Sequence, residues 1–93
     1  MKQSLYTYHA VNRVIDSYLS KGGQVIEFYG SLCDNYILYG DGLKTAVIRE
    51  VYLNMSSSAN SIRLYNETPA KYQRIIDAYE NGNEEKARDL FFA

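Results

Sequence analysis

Ninety-three residues with 10 Lys or Arg, 11 Asp or Glu and one His give a net charge of −1 and the size of one small domain. An apolar fraction of 46% with a single Pro excludes disorder for most of the length. Apolar runs no longer than four residues fall far short of the roughly 20 that a membrane-spanning helix needs.

The first residues, Met-Lys-Gln-Ser-Leu, lack the apolar core of a secretory signal, so a cytoplasmic location is expected. Cys33 is the only cysteine, which excludes an internal disulfide and a cysteine-based zinc site within one chain. Residues 1–63 sum to +1 and residues 64–93 to −2, so neither a basic nucleic-acid arm nor an acidic tail is present. The unusual count is ten Tyr beside three Phe and no Trp. Such rings pack an apolar face while leaving a hydroxyl for water or a partner.

Over residues 4–21 the apolar positions Leu5, Tyr8, Val11, Val14, Ile15, Tyr18 and Leu19 recur in steps of three and four, which predicts a helix. Ser4 or Thr7 can cap its start, and Gly22-Gly23 supplies the stop. Two β-rich runs, 24–29 and 35–39, flank a five-residue loop and predict a hairpin. Gly40-Asp41-Gly42 is a turn, and 44–53 is dense enough in β-branched residues to be a third strand. Residues 54–60 read as a polar loop, and 61–65 alternate Ile62 and Leu64 with Arg63 and Tyr65 as a fourth, half-exposed strand. Thr68-Pro69 predicts a helix start with Thr68 as the cap, Tyr72, Ile75, Ile76 and Tyr79 as the apolar stripe and Gly82 as the stop. Asn83 then caps a last helix that turns Ala87, Leu90 and Phe91 inward, with Glu84 and Arg88 placed to pair.

The expected fold is a single α+β domain over 1–93: an N-terminal helix, a four-stranded antiparallel meander and a C-terminal αα-hairpin. Without a β-helix-β crossover, the helices are expected on one face of the sheet. Alternation sends Ile26, Phe28, Ile62 and Leu64 into that core and turns Glu27, Tyr29, Arg49, Arg63 and Tyr65 outward, with Tyr36 or Tyr39. The third strand is apolar on both sides, which requires cover on both faces, a bulge, or a partner.

The chemistry-bearing residues are few. His9, the only His, has no nucleophile beside it in sequence, and Cys33 has no neighbouring base to lower its pKa, so both read as ordinary structural side chains. Asp34, Asp41 and Glu50 lack the spacing of a metal loop, and a strand follows Gly42-Leu43-Lys44-Thr45 where a phosphate loop needs a helix. No enzyme activity, metal or cofactor is expected.

The contact surface expected from these residues is a sheet face bearing Tyr29, Tyr39, Arg49, Arg63 and Tyr65, types that dominate binding hot spots. A protein partner is expected there. The same face could instead hold single-stranded nucleic acid weakly, because −1 is not a basic field, or pair two copies of the chain. In size and helix-sheet-helix layout the chain is similar to small accessory proteins of phages and mobile elements, Cas inhibitors among them, which implies a binding or inhibitory role.

Overall fold

A computed structural model describes residues 10–54 and 57–93. The elements follow in the order α1 (Ala10–Ser20), β1 (Gln24–Tyr29), β2 (Cys33–Tyr39), β3 (Thr45–Asn54), β4 (Ser57–Tyr65), α2 (Ala70–Glu80) and α3 (Glu84–Phe92). This is the expected α-β-β-β-β-α-α, α+β arrangement, with one open antiparallel sheet in the order β1-β2-β3-β4. The start of the first helix, its capping candidates Ser4 and Thr7, and His9 lie outside the described residues.

Two helices end by the same device. The amide of Gly23 donates to the Tyr18 carbonyl (2.7 Å) and that of Gly22 to Leu19 (3.1 Å), with Gly22 at φ +82°. Asn83 and Gly82 repeat the pattern onto Ala78 and Tyr79, with Gly82 at φ +81°. These paired bonds satisfy carbonyls that the helix leaves open, and the left-handed residue they require is glycine in both cases. The Asn83 side chain accepts from the Lys86 amide at 3.1 Å, the cap expected for α3. Thr68 does not cap α2: Pro69 holds the N-cap position without a side-chain bond, and the Thr68 hydroxyl pairs with that of Thr45 at 2.5 Å.

The ladders are longer than the sequence pattern predicts. Cys33 and Asp34 join β2, opposite Val51 and Glu50, so the first hairpin loop shrinks to 30–32. Most of the expected polar loop is strand, with Ala59 and Asn60 opposite Val51 and Glu50, while 55 and 56 lie outside the described residues. An edge strand can carry polar side chains outward on both faces and still satisfy its backbone against one neighbour, so composition hides it.

The helices do not share one face. Ile26, Phe28 and Ile37 pack with Ile75, Ile76, Ala78 and Ala87 beneath α2 and α3. Residues of opposite parity, Tyr36, Leu38, Ala46 and Ile48, pack with Val11 and Ile15 of α1. Strands β2 and β3 are apolar on both sides and therefore draw cover to both, so the sheet is the middle layer of three. On the α2/α3 side Phe28 stacks on Phe91, ring centroids 4.6 Å apart and 20° from parallel.

The register also corrects the expected composition of the faces. Ile26 lies opposite Ile37, Ile37 opposite Val47, and Val47 opposite Arg63. Arg63 thus shares a face with Ile26 and Phe28, whereas Ile62 and Leu64 belong to the α1 side. Alternation fixes parity within a strand, but only the turn lengths fix it between strands.

Candidate binding groove

Helices α2 and α3 bury the β1–β2 half of their face and only border the β3–β4 half. Arg49 stands opposite Ser61 and Arg63 opposite Val47, so the two arginines occupy diagonal positions, on the order of 7–8 Å apart at the backbone in antiparallel strands. Both are exposed, and the exposed Lys71 joins them from the first turn of α2, its Nζ 5.7 Å from the centre of the Tyr72 ring. The result is a groove of ≈ 430 Å³ floored by Val47 and Ser61 and walled by Tyr72, Phe91 and Phe92. Phe92 is 47% exposed. Tyr65 backs the wall from β4, its ring 5.9 Å from that of Tyr72.

None of the lining groups is a carboxylate. The sheet's own acids, Glu27, Asp34 and Glu50, have the opposite parity and lie on the α1 side, Asp34 and Glu50 buried. Within the sheet itself charge is therefore sorted by face, Arg49 and Arg63 on one side and Glu27, Asp34 and Glu50 on the other, which a net charge or a count along the chain cannot reveal. Two guanidinium groups and an ammonium converging on a low-dielectric wall concentrate positive potential and favour an anion between them.

On the α1 side several tyrosines serve those carboxylates. The Tyr29 hydroxyl donates to Glu27 at 2.9 Å and Tyr52 donates to Asp34, while the Tyr36 phenol lies close to the Glu27 carboxylate. Across the sheet Tyr39 donates to Glu80 at 3.2 Å. Burial first, and then the nearby carboxylates, hold the Tyr36 and Tyr39 phenols well above their ordinary pKa.

The five residues singled out in the sequence divide accordingly. Arg49 and Arg63 line the groove, and Tyr65 supports its wall. Tyr39 lies on the same face but in a separate polar depression with Thr45, Thr68 and Glu80. Tyr29 is on the opposite face at the far edge of the sheet, and its carbonyl accepts from Arg88 at 3.0 Å. Lys71, Tyr72, Phe91 and Phe92 also line the groove, though the sequence pattern does not single them out. Periodicity places Tyr72 and Phe91 in apolar stripes, and nothing local distinguishes Lys71 from any solvated lysine.

Cys33 also lines the groove, half-buried, with Asn35 Nδ2 3.8 Å from its Sγ. Among the described residues no three His, Cys, Asp or Glu side chains converge as ligands for a metal ion, and no helix is long and apolar enough to cross a membrane. No protein-family model, curated protein or solved structure matches the chain.

Proposed function

We propose that this chain is a non-enzymatic binding module of the accessory or inhibitory kind, and that it engages an acidic segment of a protein partner through the groove of Arg49, Arg63 and Lys71. The observation that carries the reading is the lining itself: three cations, three aromatic rings and no carboxylate. Arginine and aromatic side chains in a partly desolvated concavity are the groups that contribute most to protein interfaces. Acidic rather than nucleic-acid partners are favoured because the groove gathers only three cations, Arg49, Arg63 and Lys71, on a chain of net charge −1. A phosphate backbone would need a longer basic track.

Titration with polyglutamate and with a single-stranded oligonucleotide tests the proposal, using the wild type and the double variant Arg49→Glu, Arg63→Glu. Both positions are exposed, so the variant should fold. The expected result is salt-sensitive binding of polyglutamate by the wild type and its loss in the variant. Equal binding by the two proteins, or tighter binding of the oligonucleotide than of polyglutamate, would overturn it.

A further inference from the structure

The groove opens onto the free edge of the sheet. Among the described residues, strand β4 has β3 on one side and no strand on the other. The residues protein edges use against strand addition, Lys and Pro, are absent from it, and its one charge, Arg63, lines the groove. The opposite edge differs, since β1 is shorter and the Arg88 guanidinium covers its terminal carbonyl at Tyr29.

The two faces of β4 are chemically unlike. On the groove side Ser61 and Arg63 border the cations. On the other side the cross-strand rows Tyr36–Ile48–Ile62 and Leu38–Ala46–Leu64 run to the edge and stop, with Leu64 56% exposed. A further strand hydrogen-bonded to β4 would extend both sides at once. Its residues of one parity would meet Arg63, Arg49 and Lys71, and those of the other parity would continue the apolar rows beyond Ile62 and Leu64.

We infer that the partner of this chain is an extended segment in which acidic and β-branched apolar residues alternate, bound as a fifth strand against β4. The inference rests on the proposed groove and specifies how the acidic partner is read. Backbone hydrogen bonds supply register-independent attraction, the cations select the acidic parity, and the exposed Leu64 with the half-buried Ile62 selects the apolar one. Charge complementarity favours such a segment over a second copy of β4, which would bring another Arg63 to the same edge.

The test uses a capped synthetic peptide as long as β4 that alternates Asp with Val, and an isomer in which the same residues are grouped, Asp first and Val after. The alternating peptide should bind about tenfold more tightly, the sum of a few cross-strand pairs, and should slow hydrogen exchange at the β4 amides. Leu64→Asp should weaken the alternating peptide without changing polyglutamate binding. If both isomers bind equally, and both are lost with Arg49→Glu, Arg63→Glu, the groove reading stands and strand addition is overturned. If neither peptide nor polyglutamate binds, both readings fall. A dimer in solution that Leu64→Asp dissociates would show that a second copy occupies the edge, and would also overturn the inference.

Discussion

Tyr36 stands directly across from Glu27 in the β1–β2 ladder, its ring packed under α1 and its phenol close to that carboxylate. The protonated phenol is therefore part of the folded state. Burial raises its pKa above the ordinary 10.0, and the phenol of Tyr39, beside Glu80, is raised for the same reasons. A group bound more tightly to its proton in the folded state than in the unfolded chain stabilises the fold fully below the unfolded pKa and progressively less above it. Stability should hold up to about pH 10 and fall as the solution becomes more alkaline. Denaturant midpoints measured across that range should show the fall. Tyr36→Phe should flatten it, because the variant has no phenol at that buried position to ionise. An equally steep fall in the variant would assign the effect elsewhere.

The three-layer arrangement makes both cores necessary. Truncating Phe28, which stacks on Phe91, should cost about 3–5 kcal/mol, and truncating Ile48 beneath α1 about 2–5 kcal/mol. Arg63→Ala should stay within about 0.5 kcal/mol, as an exposed substitution does. Urea titrations of the three variants check this. A small effect at Ile48 would mean that the α1 face contributes little.

At Gly82 a new Cβ would meet nothing within 4 Å, so the effect of substitution there is conformational alone. With φ at +81°, Gly82→Ala should cost about 1–2 kcal/mol, and Gly82→Asn less because asparagine tolerates that conformation. Thermal melts of the pair measure the difference. Equal losses would point to contacts rather than backbone geometry.

Any binding of single-stranded nucleic acid should carry a shallow salt dependence. Three cations in the groove give a slope of log K against log salt of about −2. A slope twice as steep, measured by fluorescence anisotropy, would show that cations outside the groove take part.

Most of the element order is legible in the sequence because Val11, Ile15 and Tyr18, or Ile75 and Tyr79, recur at helical spacing and because Gly22, Gly82 and Asn83 mark the ends chemically. Edge β4 is half hidden, since Ala59 and Asn60 carry no strand signal and pair only because β3 offers a ladder. The faces are the deeper loss. That Arg63 belongs with Phe28 while Ile62 belongs with Tyr36 depends on three registers taken together, and the register lies in the turns between the strands. For the same reason the sorting of Arg49 and Arg63 from Glu27 and Glu50 is invisible to any count along the chain. The abundance of tyrosine is legible, but its use is not: Tyr29, Tyr39 and Tyr52 hold carboxylates by their hydroxyls.

The two cores also differ in when they can exist. The one beneath α1 draws on Val11, Ile15, Tyr36, Leu38, Ala46 and Ile48, all in the first part of the chain. The other must bring Ile26 and Phe28 to Ile75, Ala87 and Phe91, from the first strand to the last helix. Contacts between distant residues bear the larger loop-closure entropy and tend to form late. On a ribosome the first core could gather while the second still waited for α3, whose Phe91 and Phe92 complete the groove wall. The capacity to hold a partner would then appear only when the last turn of the last helix has docked, so a nascent chain would be folded on one side before it could bind on the other.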